Sequence, residues 1–179
     1  MQVRGNALMG PVYGQPQFPA NFLNAGANIG LVGGSDHSGQ IESNAFCLTG
    51  FWVDEPTPRA VWDALWNRKT LACANGKIAI WAESGGAGIG ESATPDDDGV
   101  VRIRAWLSAA HPLRRVALMR DGELLGWTPL EGQTAEVELV DAVPPAGRHW
   151  YVVTAEADSN PDLGLTALGH ASPLFVTIA

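Results

Sequence analysis

Val101-Arg102-Ile103-Arg104-Ala105-Trp106-Leu107 alternates between two sets of side chains. Successive residues of a strand point to opposite faces. Val101, Ile103, Ala105 and Leu107 therefore form a buried face, and Arg102, Arg104 and Trp106 an outer one. Thr134 to Val140 repeats the pattern, with Ala135, Val137 and Leu139 inward and Glu136 and Glu138 outward. Between them, Val116 to Met119 is a short apolar run and Leu124 to Trp127 a return strand. Asp121-Gly122 joins these two, because both positions tolerate the positive φ of a tight hairpin turn. Pro144-Pro145-Ala146-Gly147 is a further turn, followed by strands at Trp150 to Ala155 and Leu174 to Ile178. Short strands separated by turns predict an antiparallel sandwich. No helical pattern interrupts them.

Upstream the pattern changes. Residues 84–99 are punctuated by Gly and Pro and carry neither a helix nor a strand period. This places a domain boundary near Ala93 to Gly99, giving residues 1–92 and 93–179 as two units. Ile29 to Gly33 reads as a buried strand that ends in a polar loop, Gly34-Ser35-Asp36-His37-Ser38-Gly39. Residues 46–53 form a second strand and Lys77 to Ala82 a third. A helix lies between these two. Thr57 caps it, Pro58 suits its first position, and Arg68-Lys69 complement the dipole in its last turn. Val61, Ala64 and Leu65, with Trp62 beside them, form its expected apolar face. Strand, helix and strand predict α/β packing. Residues 1–20, rich in Gly, Pro, Gln and Asn, read as loop or as poorly ordered chain.

The composition sets outer bounds. The 179 residues are 46% hydrophobic and 17% charged, which excludes a disordered acidic tail. No apolar run approaches the roughly 20 residues of a membrane helix, and the first residues lack the pattern of a signal peptide. The net charge of −8 argues against nucleic acid and anionic membrane as partners. Cys47 and Cys73 are too few for a disulfide framework or a four-cysteine zinc site, and read as buried thiols.

Asp36-His37 is the sharpest chemical feature. It follows an apolar strand, and a carboxylate beside an imidazole suits a divalent metal such as zinc or manganese. The bland reading is a turn in which Asp36 caps local backbone N–H groups. Other candidates have stronger bland readings. Asp96-Asp97-Asp98-Gly99 lacks the spaced ligands of a calcium loop and reads as a solvated turn. Arg114-Arg115 reads as a solvent-facing pair. Core packing claims at least one of Trp150 and Tyr151, which would otherwise be a sugar platform. Arg59 and Arg68-Lys69 read as helix-surface residues, and nothing singles out Glu42 or Glu55. Gly85 to Gly90 is a turn and not a dinucleotide fingerprint.

The stretch Gly26 to Gly90 resembles the end of a PHP-type metal-dependent phosphoesterase domain (polymerase and histidinol phosphatase superfamily). The resemblance rests on the order of Gly30-Leu-Val-Gly-Gly-Ser-Asp-His-Ser-Gly39, Leu48-Thr-Gly-Phe-Trp-Val-Asp-Glu-Pro-Thr-Pro-Arg59, Ala64-Leu65, Arg68-Lys69-Thr70 and Gly76-Lys-Ile-Ala-Ile80. Residues 116–123 and 151–153 are similar to the β-rich tail that follows the barrel in one branch of that family. The resemblance implies an α+β chain: an incomplete, PHP barrel-like α/β segment over 1–92, then an antiparallel immunoglobulin-like β-sandwich over 93–179. It also implies a divalent metal (zinc, manganese or iron) with Asp36 as one ligand and His37 as a second.

Two departures bear on activity. The family's usual position for the histidine, two residues after the aspartate, holds Ser38. The chain also lacks the family's His-x-His pair, its other histidines being His111, His149 and His170. The catalytic set is thus incomplete. The chain reads as the C-terminal part of a PHP-type metal-dependent phosphoesterase, a hydrolase by resemblance, inactive alone. The alternative is a non-catalytic binding or structural module that contacts glycan or protein. Either reading leaves the first half with apolar surface to cover, by packing on the sandwich, by self-association or by a missing upstream barrel segment.

Overall fold

A computed structural model describes residues 2–3, 18–34, 47–158 and 166–179. Its elements in chain order are β1 (Gln2–Val3), α1 (Phe18–Asn24), β2 (Val32–Gly33), β3 (Leu48–Phe51), α2 (Pro58–Trp66), β4 (Thr70–Ala74), β5 (Ile78–Ser84), β6 (Ala87–Gly88) and β7 (Ser92–Ala93). Then follow β8 (Val101–Ala109), β9 (Leu113–Arg120), β10 (Glu123–Pro129), β11 (Thr134–Asp141), β12 (Gly147–Asp158), β13 (Thr166–Ala171) and β14 (Leu174–Ile178). The architecture is a mostly antiparallel β-sandwich. No helix among the described residues is long and apolar enough to cross a membrane.

One sheet has the order β11-β8-β5-β6. β8 and β11 pair from Val101↔Asp141 to Ser108↔Thr134, in the register the alternation demands. Val101, Ile103, Ala105 and Leu107 are buried, as is Leu139 opposite Ile103. On the outer face Arg104 Nε donates to Glu136 Oε1 at 2.6 Å.

The other sheet runs β10-β9-β12-β13-β4-β3, with β14 beside the first half of β12 and β7 beside β14. Asp121 and Gly122 turn β9 into β10 at φ 53° and 91°, as the hairpin signal predicts. β12 pairs with β9 along one edge. Its other edge is shared: Thr154 to Asp158 pair with β13, and Gly147 to Tyr151 with β14. Ser172-Pro173 separates these two collinear strands.

The expected parallel α/β packing is not what the first half adopts. β3 and β4 are antiparallel neighbours, from Leu48↔Cys73 to Phe51↔Thr70, so α2 bridges an antiparallel pair. β4 pairs antiparallel with β13, and β5 with β8. Strands from either side of Ala93 thus share both sheets. The reason lies in Asn75-Gly76, which passes the chain from β4 in one sheet to β5 in the other; Asn75 takes φ 59° there. Among the described strands β5 has β6 as its second neighbour, at Glu83 and Ser84. Further back along that edge, the Cys73 thiol donates to Ile78 O and Trp52 Nε1 to Ile80 O, each at 3.0 Å.

The sheets enclose a core that includes Ile78, Ile80, Val101, Ile103, Val116, Leu118, Val153 and Leu174. A second cluster lies on the opposite face of the larger sheet. There Ala20 and Leu23 of α1, together with Leu31, pack on Ala72, Met119, Trp150, Val152 and Phe175. Trp150 and Tyr151 are both buried, in different clusters, as adjacent strand residues must be.

Leu31 is held by a buried polar knot. Thr70 Oγ1 donates to Leu31 O at 2.8 Å and lies 2.9 Å from Ser172 Oγ. With Thr70's only hydroxyl proton committed, Ser172 donates to Thr70, and its oxygen accepts from Leu31 N at 2.9 Å. Ser172→Ala leaves Leu31 N unsatisfied and is expected to cost about 1–3 kcal/mol. Urea unfolding checks this. Thr70→Val should cost a similar amount and the double variant less than the sum, because the hydroxyls act together.

Candidate functional site

Asp36, His37 and Glu42 lie outside the described residues. Among the described residues no three His, Cys, Asp or Glu side chains come together as a metal-ligating group. Most of the remaining sequence candidates are tied into local structure. Arg102 binds both Asp96 and Asp98, at 2.6 and 2.8 Å, and its hydrogen bonds hold the Asp98 carboxyl down at about 2. Arg115 pairs with Glu156 and covers the Trp127 ring at 4.1 Å; Arg114 pairs with Asp158. Gly85 and Gly86 form the tight turn between β5 and β6, both at positive φ.

Three buried polar groups resemble catalytic constellations. At one end of the sandwich, His149 Nδ1 lies 2.5 Å from Asp121 Oδ2. This is an imidazole–carboxylate pair, but the second ring nitrogen faces Pro145 O at 2.8 Å. No nitrogen is left to take a proton from a substrate. Nearby, Asp141 Oδ2 accepts from Arg120 Nη1 at 2.6 Å and from the Tyr151 hydroxyl at 2.9 Å. Burial, then the hydrogen bond to Asp141, push the phenol up from its ordinary value. Asp141 ends β11 and its partners belong to the opposite sheet, so this group clamps the two sheets together.

The third group is His170, on the α1-side face of the larger sheet. Thr154 donates its hydroxyl proton to Gly169 O at 3.1 Å. It therefore accepts from His170 Nδ1 at 2.7 Å, which leaves Nε2 as an acceptor. That nitrogen is buried and has no hydrogen-bond partner among the described residues.

A candidate site with open space lies beside α2. Thr57 Oγ1 caps the helix by accepting from Ala60 N at 3.2 Å, and Pro58 occupies its first position. The helix ends at Trp66. Lys69 N reaches Ala64 O at 2.8 Å and Arg68 N reaches Leu65 O at 3.2 Å, the two bonds of a Schellman cap. Arg68 takes the left-handed position at φ 61°, with Nε donating to Gly90 O at 2.9 Å. Arg68 and Lys69 thus follow the helix and do not lie in its last turn.

The expected apolar face also differs. Ala64 is buried and Val61 half-buried, but Leu65 and Trp62 are exposed, at 43% and 59%. Trp66 is 73% exposed and stacks with Trp62, centroids 6.4 Å apart. The helix turns its small and polar residues toward the sandwich instead. There Ala60, Asp63, Ala64 and Asn67 line a cleft of about 500 Å³ whose other walls include Trp52, Asp54, Lys69 and Trp81. Trp52 and Trp81 meet edge to face, centroids 5.5 Å apart. The sequence reading missed this cleft. The available signal was Trp81 itself, which stands in the outward, half-buried register of β5.

His170 gives the fold a pH dependence. Burial holds its imidazole down at about 4, against an ordinary 6.5. Between these values the unfolded chain binds a proton that the native one refuses, so stability falls as the pH drops through this window and is fully present above 6.5. The loss approaches about 3 kcal/mol near pH 4. Urea midpoints of wild type and His170→Gln, compared at pH 7.5 and 4.5, should diverge by this contribution.

Comparison with family models, curated proteins and solved structures finds no match to this chain.

Proposed function

We propose that this chain is the non-catalytic, immunoglobulin-like end of a PHP-type metal-dependent phosphoesterase, and that it works by contact. The sequence stretch from Gly26 to Gly90 supports the family, and the antiparallel sandwich is consistent with its β-rich tail. In this reading Asp36 and His37 are a remnant of the last metal motif, able to add to a zinc, manganese or iron shell but not to complete one.

The observation that carries the contact role is the outward stripe of α2. Trp62, Leu65 and Trp66 stand exposed on a helix whose ends are fully capped. A well-made helix that turns two indoles to solvent is a surface shaped for burial. The barrel segment of the same kind of protein, or a second copy of the chain, is the proposed cover.

Two experiments test this. Elemental analysis of protein purified without a metal-affinity tag should find no stoichiometric zinc, manganese or iron, and no turnover of an aryl phosphodiester. One metal per chain, lost in Asp36→Ala and accompanied by turnover, would overturn the non-catalytic reading. In sedimentation velocity the chain should self-associate or retain a separately expressed PHP barrel domain. The Trp62→Ser/Trp66→Ser variant should weaken that contact roughly tenfold or more. A monomer that retains no barrel overturns the contact role.

A further inference from the structure

We propose that the cleft between α2 and the Trp52–Trp81 pair binds a neutral pyranose, as a mono- or disaccharide. Its volume of about 500 Å³ lies within the roughly 300–1,000 Å³ of small-ligand sites. The inference is independent of the outward stripe of α2, which lies on another side of the helix.

Both indoles are fixed before a ligand arrives. Trp52 Nε1 is held by Ile80 O. Trp81 packs over Gly88, where a Cβ would stand 2.7 Å from its Cζ2. Ordered aromatic walls lower the entropy cost of binding. Across from them, Ala60 and Ala64 keep the helix wall shallow, and Asp63 and Asn67 flank the alanines on the same face.

The polar groups are of mixed kind. The Asp54 carboxylate and the Asn67 side-chain amide make no hydrogen bond among the described residues, so both retain their full capacity. Asp63 commits Oδ2 to Arg59 Nε at 2.8 Å and keeps Oδ1. Lys69 touches Glu91 at 3.5 Å and keeps further N–H donors. A sugar matches this set. Its C–H face packs on indole, and its hydroxyls both donate and accept, which uses carboxylate, amide and ammonium together. An organic cation would face Lys69 and leave the amide's N–H donors unused. An anion would face Asp54 and Asp63.

The probes are the methyl glycosides of glucose, galactose and mannose, with maltose and cellobiose, titrated into the full chain by calorimetry and tryptophan fluorescence. At least one should bind and perturb the indole emission. Asp54→Ala and Asn67→Ala, both exposed positions, should each weaken it fivefold or more at unchanged thermal midpoint. Trp81→Phe should retain part of the affinity. Trp62→Ser/Trp66→Ser should retain all of it. No binding across the panel overturns the proposal. So does binding that survives Asp54→Ala and Asn67→Ala, or binding lost only in Trp62→Ser/Trp66→Ser, or tetramethylammonium binding in place of sugar.

Discussion

The length of β12 governs the rest of the sandwich. Its twelve residues span roughly 40 Å, longer than either of the strands that line the edge facing away from β9. Two strands must share that edge, and Ser172-Pro173 is where one hands over to the other. Proline supplies no N–H, so the ladder has to break there in any case. The fold uses the break. The freed Ser172 hydroxyl meets Thr70 and Leu31, and the segment that carries Leu31 becomes the lid of the second hydrophobic cluster. β13 then recruits β4 and, through it, β3. β3, β4 and the helix between them are thus built onto this edge of the larger sheet, while β5 and β6 join the other sheet.

Helix α2 inverts the usual arrangement. Its bulky apolar residues face outward and its alanines face the protein. The cost is exposed aromatic surface; the return is space between the helix and the indoles of Trp52 and Trp81. An apolar inner stripe would have filled that cleft. The proposed contact on one side of the helix and the proposed ligand on another therefore both trace to one rotational choice about its axis.

Much of the sandwich was legible in the sequence, and the reason is physical. β8 and β11 each have one face in the core and one in water, so their period of two is written in Val101 to Leu107 and Thr134 to Val140. Asp121-Gly122 carried its turn in its own φ preference, and Thr57-Pro58 its helix start. β4 and β13 were missed because both their faces are buried. Thr-Leu-Ala-Cys-Ala and Thr-Ala-Leu-Gly-His-Ala alternate nothing that a hydropathy pattern can register. The α/β expectation failed for a related reason. Local sequence gives strand, helix and strand, but the direction of pairing is decided by β13 and β8, far along the chain. The cleft was illegible because it depends on which way α2 is rotated, and its apolar pattern suggested the opposite rotation.

The free side of β5 shows how the sandwich closes without another strand. From Ile78 to Ala82 only β8 pairs with it among the described strands, an arrangement that invites a foreign strand to add. Two carbonyls on this stretch are occupied by the Cys73 thiol of β4 and the indole of Trp52, just past β3. Side chains thus serve as stoppers against edge-to-edge aggregation. The thiol suits this role because burial pushes Cys73 up to about 11. It keeps its proton, remains a donor, and is a poor target for oxidants and alkylating agents.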